Sequence, residues 1–116
     1  MGSLTTHVLD TAQGRPADRV AIELVRVGGG FGVLRSLHTN EHGRTDQPLL
    51  EGDDLRVGAY ELRFSVGDYF ARQPVAVDEP PFLDVVPVRV SIADARAHYH
   101  VPLLVSPWAY STYRGS

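Results

Sequence analysis

The feature that most constrains this chain's fold is a hydrophobic period of two, repeated along most of its length. In "GAYELRFSV" the residues Tyr60, Leu62, Phe64 and Val66 alternate with Glu61, Arg63 and Ser65. Successive side chains of a strand point to opposite faces, so this alternation sends one face to a core and the other to water. "DRVAIELVRV" repeats the pattern with Val20, Ile22 and Leu24 and closes on the turn-forming "GGGFG". "VLRSLHTN" follows as the expected hairpin partner. Further strands are expected in "LTTHVLD", "VVPVRVSI", "HYHVPLLVS" and "AYSTYR", with a short one after Arg44. About eight short strands separated by frequent turns predict an all-β fold, a sandwich of two sheets.

One stretch breaks the alternation. In "GDYFARQPV" Asp68 is placed to cap a helix, and Tyr69, Phe70 and Ala71 extend it as a short helical turn stopped near Pro74. It is the single helix expected. Pro87 and Pro102 each lack a backbone donor, so each is expected at a sheet edge, a bulge or a strand start. "NEHGRTD" has the chemistry of a tight loop and delivers Arg44 directly after its glycine.

With 116 residues the chain has room for one core, and a single domain over 1–116 is expected. No apolar run approaches the roughly 18 residues that a membrane span needs. A formal net charge of -3 offers no excess of positive charge for phosphates, so nucleic acid is not an expected partner. Cysteine is absent, which removes disulfides, thiolate metal sites and cysteine nucleophiles together. All 11 basic residues are arginine, so Schiff-base chemistry and a Ser-Lys pair are excluded. The opening "MGSLTT" formally fits an N-myristoylation pattern but reads rather as a cloning remnant or an ordinary short N-terminus. With no basic stretch leading into an apolar one, a cytoplasmic protein is expected.

Chemistry centres on the histidines His7, His38, His42, His98 and His100. His98 and His100 stand two apart in a strand, so their rings share a face. The spacing leaves three readings open: a metal-chelating pair with His7 as a third ligand, a metal-free acid/base cluster, or two solvated strand histidines. His7 shares a face with Thr5 and Leu9, while His38 and His42 read as surface residues. No G-x-S-x-G elbow supports a serine triad around Ser3, Ser106 or Ser111, and "VGGGFG" lacks the lysine and helix of a phosphate loop.

Three segments taken together, "LTTHVLDTAQGRPA", "HTNEHGRTD" and "AHYHVPLLVSPWAYSTYRGS", closely resemble the 5-hydroxyisourate hydrolase family, the transthyretin-related enzymes of urate breakdown. The resemblance spans nearly the whole chain. It implies a transthyretin-like sandwich of two four-stranded sheets with one short helix. It also implies a homotetramer whose central channel carries the active sites, with the C-terminus ordered by neighbouring subunits. Position by position it implies His7, Arg44, His100 and Ser116 as catalytic residues. His7, Arg44, Tyr113 and, more weakly, His98 are implied to bind substrate. The implied reaction is hydrolysis of 5-hydroxyisourate to 2-oxo-4-hydroxy-4-carboxy-5-ureidoimidazoline, with no metal and no cofactor. Transthyretin itself lacks the terminal "YRGS" and the "HYH" pair, which are both present here. Two alternatives remain at this stage: a transthyretin-like carrier of small ligands without turnover, and a metal-dependent hydrolase using His7, His98 and His100.

Overall fold

The computed structural model describes residues 1–28 and 32–115. The middle of the "GGGFG" turn and Ser116 lie outside the described residues. Two sheets face each other. One has the order β4 (Val33–His38), β3 (Ala21–Arg26), β6 (Gly58–Ser65), β7 (Val85–Ile92), all antiparallel. The other is built on β1 (Ser3–Asp10) and β8 (His98–Val105), which run parallel, with β9 (Tyr110–Thr112) antiparallel to β8. Two-residue strands β2 (Arg15–Pro16) and β5 (Leu50–Glu51) pair with opposite ends of β1. Both lie on the edge of β1 away from β8, so this sheet has five strands but is four wide. The period-two reading therefore holds, with β2 an addition that its two residues were too few to announce.

Burial follows the alternation closely on β1. Leu4, Thr6, Val8 and Asp10 point into the sandwich, while Ser3, Thr5, His7 and Leu9 lie on the other face. Leu4 and Val8 join Ile22, Leu24, Leu62, Phe64, Val86, Leu103 and Val105 in one cluster between the sheets. Each such side chain stabilises the fold by about 1.5–3 kcal/mol relative to exposure. Two polar residues on the inner face are satisfied locally. Thr6 donates to the Val101 carbonyl at 2.7 Å, and Asp10 accepts from Ala12 N, Gln13 N, Gln13 Nε2 and the Tyr69 hydroxyl. The carboxylate thereby ties the turn after β1 to the helix.

That helix, α1 (Val66–Ala71), continues directly from β6, and its N-terminal cap position is Ser65, without a side-chain capping bond. Asp68 sits inside the first turn instead of capping it. Burial explains the shift: Val66, Tyr69 and Phe70 must all reach the core, and starting the helix at Val66 puts them there. Tyr69 and Phe70 pack edge to face with centroids 5.0 Å apart.

The prolines divide. Pro87 lies on β7, an edge strand, as expected. Pro102 sits in the middle of β8, between β1 and β9, where a proline was not expected. Its missing donor faces β9, and the β9 ladder stops beside it. Pairing runs to Leu103↔Thr112 and resumes in the same register at His100↔Gly115. In the gap the Pro102 carbonyl accepts from the Thr112 hydroxyl at 2.7 Å. The interruption leaves Tyr113 free to turn outward, 61% exposed.

Candidate active site

The outer face of the β1–β8 pair carries the titratable groups. Parallel pairing sets Ser3 beside His98, Thr5 beside His100 and His7 beside Pro102. Residues far apart in sequence thus meet because the first and second-to-last strands are neighbours.

Arg44 arrives by a different route. The "TN" of "HTNEHGRTD" forms the anchor: buried Thr39 donates to the Ala17 carbonyl at 2.7 Å and accepts from Val20 N at 2.8 Å. Asn40 then closes the loop, its Oδ1 accepting from His42 N and Arg44 N while its own N donates to the Arg44 carbonyl at 2.7 Å. Gly43 has φ +76, and its carbonyl accepts from Val8 N at 2.8 Å. A Cβ there would overlap the Val8 carbonyl oxygen, so only glycine brings the loop against β1. The outcome is a β-bridge between His7 and Arg44.

The last described residues close the site from the other side. Gly115 N donates to the His100 carbonyl at 2.8 Å. Arg114 turns away from the cleft, its guanidinium 4.1 Å from the centroid of the Tyr99 ring and 3.2 Å from the His98 carbonyl. Within the chain these contacts hold the tail against β8.

Together these pieces form a cleft of about 500 Å³ lined by His7, Arg44, His98, His100, Tyr113 and Gly115, with Thr5, Leu9, Tyr99 and Pro102 completing its walls. Four candidates named from the sequence, His7, Arg44, His100 and Tyr113, line it with His98; Ser116 lies outside the described residues. His38 and His42 stay outside the cleft. His42 is exposed and 3.6 Å from the Glu41 carboxylate.

Electrostatics favour neutral imidazoles. Burial lowers the pKa of His7, the Arg44 guanidinium lowers it further, and a backbone hydrogen bond with His42 opposes them. Burial likewise lowers His100, assisted by Arg44 and then by His7. Desolvation and a nearby positive charge both disfavour the imidazolium, leaving both rings able to accept a proton at neutral pH. Arg44 is the lasting cation of the group and presents planar, paired donors suited to a carbonyl oxygen. Among the described residues, no group of three or more His, Asp or Glu side chains has the geometry to hold a metal ion.

Thr5 and Pro102 line this cleft but carried no functional signal in the sequence. The period of two does place Thr5 on the face of His7. What it cannot supply is the pairing of β1 with β8.

Comparison with known proteins decides the lineage. Residues 4–115 match the family model described as HIUase/Transthyretin family. The chain belongs to that family. Within the family, a protein from Ralstonia nicotianae named 5-hydroxyisourate hydrolase is 56% identical over the full length of both chains. The solved structure of Klebsiella pneumoniae 5-hydroxyisourate hydrolase superposes with a TM-score of 0.82 at 34% identity, covering 100% of both chains. Sea bream transthyretin in complex with thyroxine superposes equally well, TM-score 0.83, but at 26% identity over 97% of this chain and 94% of its own. Backbone shape therefore does not separate the two branches of the family; sequence does. The chain also matches a crystal structure of (S)-allantoin synthase, TM-score 0.94 at 46% identity, covering 99% of this chain but 44% of that one.

Proposed function

We propose that this protein is an enzyme that hydrolyses 5-hydroxyisourate to 2-oxo-4-hydroxy-4-carboxy-5-ureidoimidazoline in urate degradation, and that residues 1–116 are a single catalytic domain. The observation that carries this reading is the convergence of His7, Arg44 and His100 on one cleft, in a chain 56% identical to a named hydrolase of this substrate.

The substrate is a small, planar, oxygen-rich heterocycle whose six-membered ring opens by hydrolysis of a cyclic acyl-nitrogen bond. A base must take a proton from water, the water oxygen must bond to the acyl carbon, and the carbon-nitrogen pair must leave on nitrogen with a proton. His7 and His100 form the acid/base pair, both neutral at rest and both within the field of Arg44. Arg44 donates to the carbonyl oxygen as negative charge develops there. Tyr113, exposed at the cleft, offers a hydroxyl to the substrate, and His98 marks the rim. Ser116 follows Gly115 directly in sequence and is assigned to the site with the catalytic residues on the strength of the resemblance.

Four such subunits assemble as a homotetramer in the cytoplasm, the sites lining a shared channel. Edge strands β7 and β9 leave backbone groups unpaired on one side, which supports assembly through sheet edges. Light scattering on the purified protein tests the tetramer. No helix among the described residues is long and apolar enough to cross a membrane.

The activity is tested by the ultraviolet decay of freshly generated 5-hydroxyisourate with and without protein. Decay at the spontaneous rate would reject the hydrolase and turn attention to a small-ligand carrier.

A further inference from the structure

The Thr5 hydroxyl oxygen stands 2.8 Å from His100 Nδ1, across the parallel β1–β8 pair. The same oxygen lies 3.5 Å from the Tyr99 carbonyl, an acceptor within reach of its own hydrogen. With its hydrogen on that carbonyl, the Thr5 oxygen presents a lone pair to Nδ1. The Nδ1–H tautomer then holds the ring, and Nε2 is left as the unprotonated nitrogen. Among the described residues, Nε2 has no hydrogen-bond partner, and the ring borders the cleft. On the opposite side Gly115 packs against the Cδ2 edge, so the imidazole is fixed between a hydroxyl and a backbone.

We propose that Thr5 is the positioning residue for His100, selecting the Nδ1–H tautomer so that Nε2 serves as the general base towards water. This deepens the hydrolase reading and rests on it. Which ring nitrogen is basic is set by the bond the other one makes, and a threonine oxygen can keep that bond through the whole cycle. When Nε2 takes the water proton, the resulting imidazolium still donates from Nδ1 to Thr5. The water oxygen bonds to the acyl carbon, the ring carbon-nitrogen bond breaks with its electron pair on nitrogen, and that nitrogen takes a proton from the His7–His100 pair, leaving both imidazoles neutral again. Thr5 itself neither gains nor loses a proton.

The neighbouring Ser3 and His98 make the same contact at 2.7 Å two pairs along the strands, but His98 is exposed at the rim. His100 is half-buried, where a ring held in one orientation is screened from water that would otherwise compete for Nδ1.

The test compares Thr5→Val, which keeps shape and removes the acceptor, with Thr5→Ser, which restores it. The proposal expects kcat for Thr5→Val to fall about tenfold or more with KM within about twofold, and Thr5→Ser to stay within about threefold of the parent. The groups facing His100 are His7 and Thr5 from β1, Arg44 from its loop, His98 from its own strand and Tyr113 from the tail. None of the others changes in these variants. Loss of an acceptor for the imidazolium then moves the acid limb of kcat/KM to lower pH in Thr5→Val alone. Ring 15N spectra, with His100 assigned by its absence in His100→Gln, should show the Nδ1–H tautomer in the parent and its loss in Thr5→Val. Parent-like kcat in Thr5→Val, equal damage in Thr5→Ser, or an Nε2–H tautomer in the parent would overturn the proposal. An inactive parent would instead reject the hydrolase reading, and the ring spectra would still decide whether Thr5 sets the tautomer.

Discussion

Gly115 lies so close to His100 that a Cβ at position 115 would stand 2.7 Å from His100 Cδ2 and 3.3 Å from its Cβ and Cγ. The tail and the histidine therefore share one packing surface, and a change in either moves the other. Gly115→Ala should lower turnover by about tenfold or more, because a displacement of this order spoils proton-transfer geometry. Thermal unfolding should shift little, since the tail packs outside the core. Parent-like kinetics in Gly115→Ala would show that the ring is free to yield.

Arg44 should act on rate and on pH dependence together. Because its charge lowers both His7 and His100, Arg44→Ala relieves that depression and the acid limb of the residual activity should move to higher pH. Turnover should fall about a hundredfold, the scale of a lost oxyanion donor. Steady-state kinetics across pH 5–9 would check both; an unmoved limb would mean that burial alone sets the two imidazoles.

Folded His7 and His100 both titrate below the ordinary histidine value of 6.5, so the unfolded chain binds more protons as pH falls through that value. Their contribution to stability is present above about pH 6.5 and is lost progressively below it. Chemical denaturation at pH 7.5 and 5.5 should show a lower midpoint at the acid end, and His7→Gln with His100→Gln should flatten the difference. An unchanged difference in the double variant would place the pH sensitivity elsewhere.

Tyr69→Phe removes the hydroxyl that donates to buried Asp10 at 2.8 Å and should destabilise the fold by about 1–3 kcal/mol, as a buried acceptor loses one of its partners. The β1–β2 turn that this carboxylate organises lies outside the cleft, so kcat should remain near the parent's. Denaturant midpoints together with kinetics separate the two effects.

Local chemistry was legible in the sequence wherever a period or a turn carried it. The alternation in β6 and β3 foretold their buried faces, and "NEHGR" foretold an arginine delivered by a glycine bend. Long-range pairing was not legible. Thr5 and His100 meet only because β1 and β8 lie parallel, which no local pattern encodes. Pro102 misled for the same reason: its place in a central strand is tolerated because β9 pauses opposite it, a fact about the partner strand and not about the proline. Asp68 misled because the core demand of Val66 outweighed a good capping residue. The roles of His7, Arg44 and His100 came through resemblance; their residue types alone left metal, acid/base and solvated readings open, with the solvated one ahead.

The most direct test of the His7–Arg44–His100 cleft as a hydrolytic site is the rate of 5-hydroxyisourate decay, followed by ultraviolet absorbance, with the parent protein before and after chelator treatment and with His100→Ala. Acceleration should survive the chelator and fall about a hundredfold in His100→Ala while the protein stays folded. Acceleration abolished by the chelator, or full activity in His100→Ala, would contradict a metal-free acid/base cleft.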